Sequence, residues 1–184
     1  TVARSDHVLV HAAAGGVGLA AADLLTQLRA NMHATAGSVK KRHIAHLLHV
    51  QSTATSRNTA FTDVVASLTK GQCVGTVLNS LTSAGMVGGS LSTMGMRGCM
   101  AEISKRDLWS TSRVAMDRHD ITYATVALDF LPPDMIAREM AALACAAGRG
   151  DARPLPIQAH SLGATPLAMR QMMQAQHVGK VVVQ

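Results

Sequence analysis

Aromatic side chains are nearly absent from this 184-residue chain, where Phe61, Trp109, Tyr123 and Phe130 stand alone and far apart. A surface that stacks bases needs such rings close together, so nucleic acid is not expected as a partner. Cysteine is scarce as well: Cys73, Cys99 and Cys145 are odd in number, widely spaced and form no CxxC pair. This argues against a disulfide scaffold and a structural metal, and the thiols are expected as buried small hydrophobes in a reducing compartment, the cytoplasm. No stretch reaches the roughly 18 uninterrupted apolar residues of a membrane helix, and no cationic flank with an apolar core marks a secretion signal. A membrane partner is therefore not expected. The chain begins at Thr1 and enters an apolar run almost at once, as a piece of a longer polypeptide would.

Acidic residues are the remaining shortage. Lys and Arg number 17 against 11 Asp and Glu, a formal charge of +6, and no acid occurs between Asp23 and Asp63. Such an excess favours an anionic partner. With no stacking platform beside it, a phosphorylated cofactor accounts for the charge better than nucleic acid does.

What is present alternates between strand and helix patterns. Val8-Leu9-Val10-His11 reads as a short strand, followed by Ala and Gly and a helical stretch from Leu19 to Leu28. Met32 to Ala36 repeats the strand, with Ser38 as N-cap of a helix from Val39 to Leu48. Further strands are expected at Val74 to Asn79, Cys99 to Ile103 and Ile121 to Leu128, with a small-residue helix from Ser83 to Met94. Pro132-Pro133-Asp134 opens a helix running to Ala147 and closed by Gly148, since proline and an acid suit a helix start and glycine its stop. Beyond Arg153 come an edge strand at Pro154 to Ile157, a Thr165-Pro166 pair as N-cap and first helical residue, and a last strand from Gly179 to Val183. The pattern predicts an α/β fold, a Rossmann-type doubly wound, mainly parallel sheet over residues 1–152, and a distinct C-terminal segment, 153–184.

The segment His11-Ala12-Ala13-Ala14-Gly15-Gly16-Val17-Gly18 joins the first strand to the first helix. With Ala13, Gly15 and Gly18 in the three fingerprint positions, Gly15 lets the backbone approach a diphosphate and Gly18 lets the helix pack on the strand. The helix N-terminus then offers free N–H groups to the anion. Ala13 replaces a glycine, so its position must avoid positive φ. About 20 residues further, near Thr35, an NAD site places a carboxylate on the ribose. Here that region holds Thr35, Gly37, Ser38, Lys40, Lys41 and Arg42, with Ser56 and Arg57 beyond. Missing acids and nearby cations suit a 2′-phosphate, which predicts NADPH. The bland alternative for Lys40 to Arg42 is a solvated helix face.

With these residues in view, the chain resembles the nucleotide-binding half of the enoyl reductase domain of modular polyketide synthases, in the medium-chain dehydrogenase/reductase superfamily. VLVHAAAGGVGLAA resembles that family's cofactor loop, ATAGSVKKR its 2′-phosphate segment, VLNSL the strand end near the nicotinamide (Asn79 and Ser80), and EISKRDLWS a hallmark stretch. VALDFLPP, RPLP and QAQHVGKVVV complete the series. The resemblance implies NADPH-dependent reduction of an α,β-unsaturated acyl thioester on an acyl carrier protein, among neighbouring synthase domains and without a metal. It also implies Lys105, at the cofactor site, and Asp129 as candidate proton donors. The substrate-binding half that precedes the loop in that family is missing, and residues 153–184 return toward it. Gly75 stands where the family usually has Asp, and Arg29 and His49 where glycines are usual, which strains them if φ is positive there.

Other constellations carry less. His43, His46 and His49 recur every third residue but lack an accompanying Cys, Asp or Glu, so a helix face is the better reading than a metal site. Met169, Met172 and Met173 read as flexible core filling, and Ser80 and Ser104 lack a GxSxG setting. Two rivals stay open: a stand-alone quinone-oxidoreductase-like NADPH reductase, and a non-catalytic NADPH-binding remnant within a megasynthase.

Overall fold

The computed structural model describes residues 2–48 and 50–184, so the expectation for His49 lies outside the described residues. Strands β1 (His7–Val10), β2 (Asn31–Ala36), β3 (Ser52–Thr55), β4 (Val74–Asn79), β5 (Met94–Glu102) and β6 (Thr122–Thr125) form one parallel sheet in the order β3-β2-β1-β4-β5-β6. Helices α1 (Gly16–Gln27), α2 (Val39–Leu47), α3 (Phe61–Leu68), α4 (Met86–Ser92) and α5 (Thr111–Asp117) make the crossovers. Then follow a single 3-10 turn at Leu128–Phe130 and α6 (Pro133–Gly148). Strands β7 (Ile157–His160) and β8 (Lys180–Val183), with α7 (Thr165–Met173) between them, pair in a separate two-stranded parallel sheet. The main sheet is the expected doubly wound Rossmann arrangement. Its strand order reverses between β1 and β4, which opens a crevice at their carboxyl ends.

Alternation along the strands builds two cores. Val8 and Val10 of β1 point to one face, packing with Ala13, Ala22, Leu25, Met32 and Ala34. Leu9 points to the other, with Phe61, Val77, Met86, Leu91, Met100 and Val114. This is the period-2 geometry of a strand buried on both faces.

Ser38 caps α2 as expected, its hydroxyl accepting from the Lys41 amide. Other boundaries move. The helix expected from Ser83 to Met94 is confined to Met86–Ser92, because β5 already starts at Met94. The strand expected from Ile121 to Leu128 stops at Thr125, and the last edge strand starts only at Ile157, after the prolines that cannot donate to a ladder. Thr165 lies inside α7, whose N-cap is Ala164, and its hydroxyl donates to the Leu162 carbonyl. Gly75 is exposed, at a break in the β4–β5 register between Val74 and Thr76.

Two expectations of burial fail. Cys73 and Cys145 are exposed and Cys99 is half-buried, because Cys73 sits in the turn before β4 and Cys145 on α6, a helix with no buried residue. Met169, Met172 and Met173 are exposed too, since α7 buries only Ala168. Among the described methionines, Met32, Met86, Met94 and Met100 do the core filling instead.

The first helix ends with Arg29 at φ +55. The Arg29 amide bonds the Thr26 carbonyl at 3.1 Å and the Ala30 amide bonds the Leu25 carbonyl at 3.0 Å, the paired bonds that close a helix around a left-handed residue. Glycine adopts that φ freely and arginine does not. Arg29→Gly is therefore expected to raise stability by about 1 kcal/mol, read as a higher denaturant midpoint at unchanged m-value.

Candidate functional site

The turn between β1 and α1 forms the floor of the crevice. Ala12 takes φ +50, and the bend is held by the Gly15 amide on the Ala12 carbonyl at 2.9 Å and the Ala13 amide on the Thr35 carbonyl at 2.9 Å. The positive φ thus falls on Ala12 and not on Ala13, which is how alanine is tolerated in the first fingerprint position. Gly15 caps α1 in an extended conformation without a side-chain bond, and the first turn carries no acid. Its free N–H groups and positive dipole end are left for an external anion. A Cβ on Gly18 would lie 2.4 Å from the Ala13 Cα, so only glycine lets helix and strand approach this closely.

A cleft of about 610 Å³ opens above this turn. Ala12, Ala14 and Gly15 line its floor, and Ala36, Gly37, Ser38, Lys40, Lys41, Ser56 and Arg57 line one side. Ser80 to Ser83, beyond the end of β4, and Gln174 to His177, beyond α7, complete it. The Arg57 guanidinium crosses Gly37, where Nε donates to the Gly37 carbonyl at 3.4 Å and a Cβ would meet Nε at 3.2 Å. Burial and the adjacent Arg57 push the Lys41 ammonium below its usual range. Two neighbouring cations without an acid in the cleft lining make this end of the cleft a place where an anion gains energy.

The structure brings Ala14, Gly15, Gly37, Ser38, Lys41, Ser56, Arg57 and Ser80 together around one cleft. Gly16, Val17 and Gly18 form the first turn of α1 beside it, and the Val17 side chain is exposed. Thr35 is fully buried, and its hydroxyl accepts from the Ala12 amide at 3.3 Å, so it holds the floor from beneath. Asn79 is also buried, donating to Glu102 at 2.5 Å and accepting from the Leu81 amide at 3.2 Å. Lys105 and Asp129 lie outside the cleft lining, paired with each other and exposed.

Sequence reasoning did not place Gln174 to His177 in this wall. The Gly179 amide docks them there by donating to the Ala14 carbonyl at 3.2 Å, and Gly179, at φ +70, passes so near Pro156 that a Cβ would meet its carbonyl oxygen at 2.2 Å. The QAQHVGK stretch was the available signal. Among the described residues no three His, Cys, Asp or Glu converge as metal ligands.

Comparison with known proteins follows the same lines. A family model described as zinc-binding dehydrogenase matches residues 48–183. A mycocerosic acid synthase-like polyketide synthase of Mycolicibacterium smegmatis is 33% identical over 188 residues, covering 99% of this chain and 9% of that protein. The crystal structure of CurK enoyl reductase superposes with a TM-score of 0.91 at 32% identity, over 100% of this chain and 55% of that one. The nucleotide-binding subdomain of the enoylreductase domain of PpsC from Mycobacterium tuberculosis gives a TM-score of 0.74 at 27% identity, covering 83% of this chain and 87% of that one. The chain thus spans a small part of the polyketide synthase and about half of the solved CurK reductase.

The close approach at the cleft floor is testable by adding a single methyl group. Gly18→Ala, forced against the Ala13 backbone, is expected to cost about 3 kcal/mol. Gly148→Ala, with nothing within 4 Å of the new Cβ, is expected to change stability by less than about 1 kcal/mol. Equal melting temperatures for the two variants would contradict this packing.

Proposed function

This chain belongs to the zinc-binding dehydrogenase family, and we propose that it is the NADPH-holding half of an enoyl reductase working within a polyketide synthase. The observation that carries the reading is the cleft itself, where a glycine-rich helix N-terminus adjoins a cationic wall without an acid. Ala14 and Gly16 would hold the diphosphate by backbone N–H groups, Gly15 would let it come close by lacking a side chain, and the first turn of α1 through Val17 and Gly18 would stand behind them. Gly37, Ser38, Lys41, Ser56 and Arg57, with Thr35 beneath, would hold the ribose 2′-phosphate, and Asn79 and Ser80 would border the nicotinamide end. Among the described residues no three His, Cys, Asp or Glu side chains come together as a zinc site would require.

When bound, the reduced nicotinamide supplies a hydride to the β-carbon of an enoyl thioester carried by an acyl carrier protein. The protein must then deliver a proton to the α-carbon. In the Lys105–Asp129 pair the ammonium donates and the carboxylate accepts, so the transferable proton is on Lys105 Nζ and Asp129 orients it. The positive charge of Lys105 would also offset the negative charge that develops on the thioester oxygen. Residues 153–184 are read as the part that joins this half to the substrate-binding half.

The likeness to synthase-borne reductases favours an acyl thioester over a small quinone as substrate. In the intact polypeptide, NADPH is expected to bind at least about tenfold more tightly than NADH, and Arg57→Ala to erase most of that preference. Equal affinities would remove the 2′-phosphate assignment. With a pantetheine-linked enoyl thioester, Lys105→Ala is expected to lower kcat by about 100-fold and Asp129→Asn by less. Near-normal turnover in both variants would take the pair out of the mechanism, and turnover of a quinone alone would favour a stand-alone quinone reductase.

A further inference from the structure

His11 is buried at the end of β1, one residue before the left-handed bend at Ala12. Its ring bridges two elements, with Nε2 2.8 Å from the Ser90 hydroxyl on α4 and Nδ1 3.0 Å from the Thr35 hydroxyl on β2. The Phe61 ring meets it edge to face at 4.9 Å. The bond directions follow from the shortest contact of the group. With the Ser90 hydroxyl donating to the Met86 carbonyl at 2.7 Å, it accepts from His11, and Nε2 carries the hydrogen. Burial holds the ring neutral, with its pKa pushed down to about 4. Nδ1 is then a bare lone pair and accepts from the Thr35 hydroxyl. That leaves a lone pair of Thr35 Oγ1 for the Ala12 amide at 3.3 Å.

We propose that His11 is a positioning residue for the cofactor loop: anchored on Ser90 as the Nε2–H tautomer, it aims the Thr35 hydroxyl so that its lone pair fixes the Ala12 amide and the left-handed bend. The inference deepens the NADPH reading above, since the bend sets the floor on which the diphosphate would rest. It also explains how a loop with alanine at a left-handed position keeps one conformation. A glycine there would need no such support, whereas alanine is held by a bond that three buried side chains align. Packing alone would be served by any ring of this size, but the direction of the three bonds requires the donor and acceptor of a neutral imidazole.

The test uses the full chain and two readouts that need no cofactor. Nitrogen-15 spectra of labelled histidine are expected to show His11 as the neutral Nε2–H tautomer from neutral pH down to about pH 5. A ring protonated at Nδ1 at neutral pH would overturn the proposal. Amide exchange at Ala12 is expected to accelerate about tenfold in Thr35→Val, which keeps the shape and removes the hydroxyl, and in His11→Gln, while the Val77 amide stays unchanged. Unchanged exchange at Ala12 in Thr35→Val would likewise overturn it, whether or not His11→Gln folds. The third arm is NADPH affinity: Thr35→Val is expected to weaken it about tenfold in the parent chain and less than about twofold in an Ala12→Gly background, where the bend no longer needs the bond. Equal losses in both backgrounds would reduce His11 and Thr35 to packing. If the parent chain itself failed to bind NADPH, the cofactor reading would fall, and the tautomer and exchange results would still decide the role of His11.

Discussion

The first turn of α1 lies so close to the end of β1 that a single methyl group at Gly18 would sit 2.4 Å from the Ala13 Cα, and the geometry of the cleft depends on that approach. Because the helix starts directly against the strand, its free amide groups emerge at the carboxyl edge of the sheet and not over its face. Strand order reverses at the same place, between β1 and β4, so no neighbouring crossover covers the opening. The parallel register fixes the remaining walls. Val10 pairs with Ala34 on one side and Leu78 on the other, so the chain after β2 and the chain after β4 must both rise beside the glycine turn. Gly37, Ser38, Lys40, Lys41 and Ser80 to Ser83 reach the cleft for this reason, whereas Gln174 to His177 are brought in from beyond α7.

Charge completes what the backbone begins. A helix N-terminus alone prefers anions only modestly, and its influence fades within a turn. Lys41 and Arg57 extend that preference along the cleft, where burial and then the neighbouring Arg57 make the Lys41 charge more costly. The absence of acids between Asp23 and Asp63 matters as much as the cations do, because one carboxylate near Ser38 would neutralise the wall and favour a free ribose hydroxyl.

Much of this was legible in the sequence, for identifiable reasons. The glycine turn, the Ser38 cap and the β4 boundaries are written in local rules of turn, cap and alternation, and they appear where those rules put them. The strand β3 was invisible because Ser52-Thr53-Ala54-Thr55 has no apolar run. It joins the sheet through its ladder to β2 and a buried polar row, in which the Ser52 hydroxyl bonds His33 at 2.8 Å and His33 bonds His7 at 2.9 Å. Helix α3 was legible in principle, with Phe61 and Val65 four apart on its buried face, but no cap marks its start. The exposed methionines of α7 and the exposed Cys145 of α6 show the limit of composition: apolar character said that these positions favour burial, not which surface would bury them.

Glu102 shows how the two ends of the candidate site are made to move as one. This fully buried carboxylate accepts from the Asn79 side chain at 2.5 Å and from the Ser104 amide at 2.8 Å. Asn79 in turn accepts from the Leu81 amide and, through its backbone carbonyl, from Ile103 at 2.9 Å. One side of this clamp is the cleft wall at Ser80 to Ser83, and the other is the turn that bears Lys105. A buried carboxylate is costly unless its oxygens are bonded, so neither loop can shift without exposing that cost. The sheet edge therefore holds the cleft wall and the backbone leading to Lys105 in a fixed relation, while the Lys105–Asp129 pair itself is exposed.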